Sequence, residues 1–404
     1  MIYQIGQLAD IIDGDRGKNY PKQNEFFPEG YCLFLNAGNV TPNGFSFEEN
    51  LFITQEKDDL LRKGKLQRGD IVYTTRGTVG NSALYSESVP FENIRINSGM
   101  VILRCHEDIV DKQYLYQVLK SEYFRPYFKK YCTGSAQPQL PIINFSKIEI
   151  NIPEMAAQRR IAGILSAYDN LIENNRKQIK LLEEAAQRLY KEWYVDLRFP
   201  GYEHTKITDG VPEGWEKSTV AAVSSILRRG ISPRYNENGK FVVINQKCIR
   251  QTVVSFDESR RQEKLYPEDL NLQDSDTVIC STGAGTLGRV GQIFGNYPDT
   301  TLDSHVTLVR AKEGFGKQYL FQSLNSRQTY LMGMGKGSTN QLELSRGTIQ
   351  DLDIYIPLKK VLNQFEQVAQ PIHDKISVIS KSILQLQTAR DHLLPKLMNG
   401  EVEV

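Results

Sequence analysis

Hydrophobic positions along the chain follow two different spacings. Residues 1 to about 150 and 212 to about 350 carry short β-branched and aromatic runs, for example 70–75 (DIVYTT) and 241–244 (FVVI), with turn pairs such as Asn43-Gly44 and Asn238-Gly239 between them. These runs predict strands. From Gln158 to Tyr194, and again 204 positions later, apolar residues recur alternately three and four positions apart, which predicts long helices with one apolar face.

The chain repeats itself. The segment 112–119 (KQYLYQVL) recurs as 317–324 (KQYLFQSL), 77–80 (GTVG) matches 285–288 (GTLG), and 98–104 matches 304–310. The offset drifts between 209 and 205 in the strand-rich segments and settles at 204 after Ile152-Pro153 and Ile356-Pro357. A segment without insertions behaves as one regular element, so each copy is predicted to end in a long helix.

Both helices carry a seam of the coiled-coil type, and each therefore needs a packing partner. Pro371 lies inside the second helix, where it predicts either a kink or a later start of the regular part. The seam residues predicted to pack are Ile161, Leu165, Ile172, Ile179, Leu182, Leu189, Phe365, Ile372, Ile376, Ile379, Ile383, Leu386 and Leu393.

The predicted fold class is α+β, with two mixed, mostly β domains, two long helices and an internal pseudo-two-fold repeat. The expected boundaries are 1–152 for the first domain, 153–199 for the first helix, 200–356 for the second domain and 357–404 for the second helix. A shorter helix is predicted within each domain at the repeated 112–119 and 317–324 segments.

Composition indicates the general class of protein but does not indicate what it binds. The 404 residues are 40% hydrophobic and 24% charged, with a formal net charge of +1, which is typical of a soluble protein. No run approaches the apolar length of a membrane helix, and the start does not resemble a secretory signal, so we expect a cytoplasmic protein. Five scattered cysteines predict free, buried or half-buried thiols and no zinc site.

The sequence contains one apparent enzyme motif, and its context argues against it. Residues 283–288 (GAGTLG) fit the dinucleotide fingerprint, but 289–295 alternate like a strand where a phosphate-binding helix would have to begin. The interpretation is a tight hairpin built on glycines. No nucleophile elbow, zinc-protease motif, phosphate loop, nuclease carboxylate set or Asn-Pro-Pro-Tyr tetrad occurs, and by elimination the chain is predicted to be a binding protein.

Two segments suit nucleic acid. Residues 120–131 (KSEYFRPYFKKY) interleave basic and aromatic side chains, which suits phosphate contacts and base stacking. Taken alone, a core helix end with a solvated basic face is the simpler interpretation of this segment. The loops 133–139 (TGSAQPQ) and 336–341 (KGSTNQ) recur at the same place in both copies. They offer Gln and Asn, which can pair with adenine, and Ser and Thr, which reach bases or phosphates.

The chain resembles the specificity subunits of type I restriction-modification enzymes over essentially its whole length. The resemblance is carried by 69–72 (GDIV) with 76–80 (RGTVG), 158–161 (QRRI), 189–196 (LYKEWYVD), 211–216 (VPEGWE) and 393–400 (LLPKLMNG) in this order. The chain departs from the family pattern at Pro371 and at Lys359-Lys360.

The resemblance implies a noncatalytic DNA reader. Each globular segment would be a target recognition domain for one half of a bipartite, asymmetric site, and the helices would pack as an antiparallel coiled coil that sets the gap. Its partners would be double-stranded DNA, two methylation subunits and restriction subunits. No cofactor or metal is expected in this chain, because S-adenosylmethionine, ATP and Mg²⁺ belong to the partner subunits.

The DNA contacts expected on this basis come from the hairpins, the basic helix end and the polar loops. They are Arg76, Thr78, Lys129, Lys130, Ser135, Gln137, Gln139, Thr286, Arg289, Lys336, Ser338, Thr339, Asn340 and Gln341. Near-zero net charge indicates that partner subunits supply part of the grip on DNA.

Three alternatives remain open at this stage. The first is the specificity subunit of a related methyltransferase system, such as a type IIB-like one. The second is a coiled-coil scaffold without sequence-specific reading. The third is a small nuclease or methyltransferase, for which the required motif is missing.

Overall fold

The computed structural model describes residues 1–134, 137–283, 285–335, 337, 342–398 and 401–402. The chain divides into two compact units. Unit 1 comprises Met1–Asn174 and Ile383–Val404, and unit 2 comprises Asn175–Ser382. Each unit therefore combines one strand-rich segment with parts of both long helices. The four segments predicted above divide the chain differently, in order along the sequence, and their boundaries stay a prediction.

Unit 1 contains short helices and strands, followed by the start of a long helix. The helices are α1 (Ile5–Leu8), α2 (Gln55–Leu60), α3 (Lys112–Lys120), α4 (Arg125–Tyr131), α5 (Ile142–Ser146) and α6 (Met155–Tyr190), the last of which continues into unit 2. The strands are β1 (Ile2–Gln4), β2 (Ala9–Asp13), β3 (Cys32–Leu35), β4 (Val40–Thr41), β5 (Gly44–Phe45), β6 (Phe52–Ile53), β7 (Ile71–Thr74), β8 (Ser82–Leu84), β9 (Ile94–Ile96), β10 (Met100–Cys105) and β11 (Glu149–Asn151).

A four-stranded antiparallel sheet in the order β2-β10-β7-β8 organises unit 1. Successive side chains of β7 point to opposite faces, and both faces are covered. Tyr73 packs with α3, α4 and α5, whereas Val72 packs with the three-stranded β6-β3-β9 sheet. Because both faces are buried, β7 and the start of β10 read as continuous apolar runs.

Unit 2 holds the matching set of elements. Its helices are α7 (Val220–Val223), α8 (Lys317–Asn325), α9 (Gln328–Gly333) and α10 (Arg346–Gln350), together with the greater part of α11 (Lys359–Met398), which ends in unit 1. Its strands are β12 (Ile207–Thr208), β13 (Val211–Pro212), β14 (Glu216–Thr219), β15 (Ser224–Arg229), β16 (Phe241–Ile244), β17 (Arg260–Gln262), β18 (Thr277–Cys280), β19 (Val290–Gln292), β20 (Thr300–Leu302), β21 (Val306–Ala311) and β22 (Asp353–Ile356).

Sheet order in unit 2 repeats that of unit 1. The four-stranded sheet runs β15-β21-β18-β19, and the three-stranded sheet runs β17-β16-β20. In each three-stranded sheet one pair is parallel, β3 with β9 and β16 with β20. The internal repeat inferred from the sequence is therefore a repeat of topology, and the predicted strands at 70–75 and 241–244 are confirmed.

The repeated helices are also confirmed, but different groups cap them. Asp111 accepts a hydrogen bond from the backbone nitrogen of Tyr114 at 3.0 Å and so starts α3. In α8 the corresponding end begins at Gly316, and the carboxylate of Glu366 on α11 accepts from the backbone nitrogen of Tyr319 at 2.8 Å. A side chain from the long helix thus does in unit 2 what a local cap does in unit 1.

The long helices contribute to the core of each unit. Ile161 and Leu165 of α6 share the unit 1 core with Leu394 and Leu397 of α11. In unit 2, Tyr190 at the end of α6 lies 6.5 Å, ring to ring, from Phe365 of α11. None of the predicted seam residues is exposed: six of them (Ile161, Leu165, Ile172, Phe365, Ile376 and Ile379) are buried and the others are half-buried.

Two details of the helix ends differ from expectation. α11 begins at Lys359 and continues past Pro371, so the alternative of a start at the proline is wrong. α6 ends at Tyr190 and is followed by one π-helical turn, Lys191–Val195, which stops before Pro200.

All five cysteines are free and either buried or half-buried, as predicted. Across the described ranges, no helix has both the length and the apolar character needed to cross a membrane.

Candidate nucleic-acid interface

Three loops of unit 1 meet at the end of the central sheet, and we call this meeting point junction 1. It consists of the β7–β8 hairpin loop 75–81, the turn 97–99 and the described residues 133–134 and 137–140. The backbone nitrogen of Thr75 donates to the carbonyl of Gly99 at 2.8 Å, and the nitrogen of Leu140 donates to the carbonyl of Thr75 at 2.9 Å. Backbone hydrogen bonds therefore hold the three loops together independently of their side chains.

The hairpin loop depends on glycine. Gly77 and Gly80 have φ of 73° and 103°, a region that residues with a Cβ rarely adopt. A Cβ on Gly80 would also lie 2.5 Å from the ring of Phe128. Because Phe128 belongs to α4, this close approach brings the exposed Lys129 and Lys130 beside the hairpin.

Junction 1 brings together most of the residues predicted to contact DNA in the first copy. Arg76 pairs with Gln139 in an isolated bridge, and Gln139 exchanges two backbone hydrogen bonds of 2.8 Å with Thr133. The predicted contacts Arg76, Thr78, Lys129, Lys130, Gln137 and Gln139 are all exposed. Ser135 lies outside the described residues.

One basic residue of the 120–131 run has a different role from the one suggested by its composition. The Lys120 side chain is 9% exposed, and its Nζ lies 2.7 Å from a carboxylate oxygen of Asp169 on α6. Burial lowers the pKa of Lys120, while the charge of Asp169 opposes that shift. Lys120 therefore joins the domain to the long helix and is withdrawn from the basic surface.

Unit 2 builds the same arrangement, junction 2, from the described residues 281–283, 285–289, 303–305 and 342–344. The backbone nitrogen of Ser281 donates to the carbonyl of His305 at 2.8 Å, and that of Leu344 donates to the carbonyl of Ser281 at 2.8 Å. Thr282 bridges to Glu343 as Arg76 bridges to Gln139. The two junctions thus share a backbone pattern and differ in the side chains mounted on it.

The hairpin interpretation of residues 283–288 is confirmed. β18 and β19 pair antiparallel on either side of the loop, and Gly283, Gly285 and Gly288 all have positive φ. A strand follows Gly288, so the helix N-terminus that a dinucleotide phosphate needs is missing from this position. A Cβ on Gly288 would lie 2.6 Å from the backbone nitrogen of Met332 in α9, which packs here as α4 does in unit 1.

Of the DNA contacts predicted in the second copy, the structure describes Thr286 and Arg289. Thr286 is half-buried, and its hydroxyl donates to the carbonyl of Thr282 at 3.0 Å, so it stabilises the loop. Arg289 is half-buried at the base of the hairpin. The other predicted residues, Lys336, Ser338, Thr339, Asn340 and Gln341, lie outside the described residues.

Sequence reasoning missed several polar groups at the junctions. Arg16 is exposed, and its guanidinium lies 3.3 Å from the carbonyl of Ser98, next to Gly99 of junction 1. In junction 2, His305 Nδ1 lies 2.7 Å from the hydroxyl of Thr282, which is also 3.3 Å from the amide oxygen of Gln246. The repeat does place His305 opposite Gly99, but only the loop geometry shows that both positions border the hairpin.

The remaining ionisable groups beneath junction 2 support its structure. Burial raises the pKa of the Cys280 thiol to about 12, so this thiol stays protonated and unreactive. Burial likewise raises the pKa of Asp303, whose carboxylate accepts from the backbone nitrogen of His305 at 2.9 Å. Among the described residues, no group of three or more His, Cys, Asp or Glu side chains is arranged to hold a metal ion.

The fold and the two junctions define a protein made of two topologically equivalent units of mixed helices and strands, with two long helices that run through both. Residues 1–184 match the family model described as "Type I restriction modification DNA specificity domain". The family model covers the first copy of the repeat and most of the long helix that follows it.

Relatives extend the match beyond residue 184. The chain is 25% identical to the type I restriction enzyme MjaIX specificity subunit of Methanocaldococcus jannaschii, over 90% of this chain and 86% of that protein. It is 23% identical to the HindI specificity subunit of Haemophilus influenzae, over 96% of this chain and 98% of that protein.

A solved structure shares the fold. The type I restriction-modification S subunit from M. genitalium superposes with a TM-score of 0.54 at 17% identity, over 98% of this chain and 95% of that one.

Proposed function

We propose that this chain is the noncatalytic DNA-recognition subunit of a type I restriction-modification complex, and that each unit reads one half of a bipartite site. The observation that carries the proposal is the pair of junctions. The same backbone hydrogen bonds recur around Thr75 and Ser281, while the bridging pairs are Arg76 with Gln139 in one and Thr282 with Glu343 in the other. A constant frame with variable side chains suits a protein that reads two different half-sites.

Direct readout gives these side chains a chemical role. Arginine pairs bidentately with guanine and glutamine with adenine in the major groove, whereas lysines neutralise phosphates without reading sequence. Junction 1 therefore offers Arg76 and Gln139 to bases and the neighbouring Lys129 and Lys130 to the backbone of DNA. The described part of junction 2 offers a different set of side chains, Thr282, His305 and Glu343, which fits an asymmetric target.

In this proposal the two long helices form an antiparallel coiled coil that sets the spacing between the half-sites. α6 has 36 residues and α11 has 40. At about 1.5 Å per residue they span roughly 54 and 60 Å, comparable with one and a half turns of duplex at about 34 Å per turn. Ion pairing between the helices within unit 1, where Arg390 of α11 lies 2.8 Å from Asp169 of α6, supports antiparallel packing.

The partners follow from the same proposal. Two methylation subunits would supply S-adenosylmethionine and the adenine-modifying site, and restriction subunits would supply ATP- and Mg²⁺-dependent cleavage. This chain would contribute sequence choice alone, and its near-zero net charge leaves part of the phosphate neutralisation to those partners.

A domain exchange tests the proposal. Residues 212–350 are replaced by the corresponding segment of another specificity subunit, the hybrid is expressed with its methylation subunits, and methylated adenines are mapped across a genome. We expect one half of the recognised sequence to change while the other half and the spacing persist. An exchange of residues 1–152 is the reciprocal control and should change only the opposite half. An unaltered methylation pattern in both hybrids would contradict the proposal.

A further inference from the structure

His305 stands at junction 2 with a fixed backbone and an exposed ring. Its carbonyl accepts from Ser281, and its backbone nitrogen donates to the Asp303 carboxylate at 2.9 Å. Asp303 is itself 3% exposed, and its backbone nitrogen donates to the carbonyl of Ile244 in β16. The short loop carrying His305 is thus anchored to the hairpin and to the three-stranded sheet, and the imidazole projects from a rigid support.

Hydrogen bonding also fixes which ring nitrogen carries the proton in the neutral form. The Thr282 hydroxyl lies 3.3 Å from the amide oxygen of Gln246 and 2.7 Å from His305 Nδ1. An amide oxygen only accepts, so the single hydroxyl hydrogen goes to Gln246. The hydroxyl oxygen then accepts from Nδ1–H, and Nε2 is left as an acceptor. Within the described part of the chain, Nε2 has no hydrogen-bond partner.

Positive charge lies close to the same loop. The guanidinium of the exposed Arg260 sits 3.5 Å above the ring of Tyr235. Ile231, four residues before Tyr235, forms a bridge with Asp303, so the segment that carries Tyr235 runs beside this loop.

We propose that His305 is a specificity-determining residue of unit 2, which accepts a hydrogen bond through Nε2 from the exocyclic amino group of one base, adenine N6 or cytosine N4. These amino groups are the major-groove donors of the duplex, and a fixed acceptor discriminates them from the carbonyl oxygens of guanine and thymine. Thr282 and Gln246 are positioning residues that hold the ring in the accepting form. Unit 1 has Gly99 and Arg76 at the positions of His305 and Thr282, so this reading mode is confined to one half-site. The inference rests on the proposed function.

The test uses the complete methyltransferase complex and duplexes that carry each single-base change in the mapped target. In wild type, replacing one adenine by purine, or one cytosine by 2-pyrimidinone, removes only the amino group, and the loss of one hydrogen bond should weaken binding about 2- to 10-fold at a single position in the unit 2 half-site. His305→Ala should remove that penalty and leave discrimination in the other half-site intact. Thr282→Val, which keeps the ring but frees its orientation, should reduce the same penalty partially.

His204→Ala, at an exposed histidine elsewhere in unit 2, is the matched control and should behave as wild type. If wild type shows no sequence preference in either half-site, the proposed function itself fails. If wild type discriminates and His305→Ala keeps the wild-type profile at every position, the inference about His305 alone is overturned. A uniform loss of affinity for all sequences, without a change in preference, would also overturn it, because it would indicate a phosphate contact.

Discussion

Asp169 on α6 and His373 on α11 occupy equivalent positions in the repeat, 204 residues apart. Asp169 binds donor groups of its unit, whereas His373 binds acceptor groups of its unit. In unit 1 the Asp169 carboxylate accepts from Lys120 at 2.7 Å, Gln117 at 2.6 Å and Arg390 at 2.8 Å. In unit 2 the His373 ring lies 3.2 Å from the Asp274 carboxylate and 3.1 Å from the Gln292 amide oxygen, and it stacks on Phe294 at 4.3 Å.

An acid on the helix in one unit is thus replaced by a base on the helix in the other. The repeat preserves the position of the contact while its chemistry changes, and the contact residue is half-buried at Asp169 and buried at His373. This exchange is tolerated because each buried polar group needs a complement from its own unit, and either polarity satisfies that need. The same logic governs the junctions, where the backbone frame is constant and the side chains differ.

The largest expected loss of stability in this comparison comes from substitution of Asp169. Asp169→Asn leaves the nearly buried ammonium of Lys120 without its countercharge, and removing one partner of a buried pair costs about 3 kcal/mol or more of the free energy of unfolding. Chemical denaturation should show this loss, and hydrogen exchange should localise it to α3. Asp391→Asn is the control: it removes a more exposed partner of Arg390 and should cost less than about 1 kcal/mol. Equal effects of the two substitutions would contradict the assignment of Asp169 as the helix anchor.

A second carboxyl group distinguishes unit 2. Glu183 on α6 lines a small cavity with His373, Gln292 and Gln318, and burial raises its pKa to about 7 against a hydrogen bond with Thr252 that lowers it. The folded chain therefore retains a proton that the unfolded chain releases, so the stability contributed by this group falls as pH rises from about 5 through 7. Glu183→Gln should be more stable than wild type at pH 8 by about 1 to 2 kcal/mol, and nearly equal to it at pH 5.

Thermal unfolding of wild type and variant across that pH range measures the effect of Glu183. The neighbouring Glu184 pairs with Arg188 at 3.8 Å on the surface of α6, and Glu184→Gln should show no such pH dependence. A stability difference between Glu183→Gln and wild type that stays constant with pH would rule out titration of Glu183 as its cause.

The smallest expected effect lies at Asp274. Burial would raise its pKa, but the hydrogen bond and charge of His373, with the backbone nitrogen of Gly295 at 2.7 Å, lower the pKa to about 2. This depressed pKa contributes stability above about pH 4 that is lost as pH falls to about 2. Because the side chain is 34% exposed, Asp274→Asn should cost only about 1 kcal/mol at pH 6.

Acid titration followed by circular dichroism tests Asp274. The difference between wild type and Asp274→Asn should vanish between pH 4 and pH 2. Asp269→Asn, which removes an exposed partner of Arg228, should leave the acid transition where it is in wild type. A difference that persists at pH 2 would show that Asp274 acts through packing and not through its charge.

Much of the fold could be predicted from local pattern. The strands at 71–74, 100–105 and 241–244, the repeated short helices and the long helices all follow from hydrophobic spacing, because spacing directly records which face is buried. The 283–288 hairpin followed from the alternation after Gly288. Pro371 was misleading in part, since α11 accommodates a proline that local propensity places at a boundary.

The candidate site was only partly predictable. The glycines of the hairpins and the polar loops are recognisable in the sequence, and Arg76 and Gln139 do meet. Lys120 could not be separated from Lys129 and Lys130, because all three share a basic run and only packing against α6 buries the first. His305 carried no local signal, since its orientation depends on Thr282 and Gln246, which are 23 and 59 positions away in the sequence.

The sequence by itself therefore determined the repeat, the order of the elements, the helix register and the resemblance to type I specificity subunits, because these are recorded in spacings and motifs along one dimension. Only the tertiary structure decided which ionisable side chains are surface and which are anchors, as at Lys120, Asp169, Glu183 and His373. Those roles depend on partners distant in sequence. Burial removes water from a charged or polar group, and the complement that replaces the water comes from whichever element the fold brings beside it.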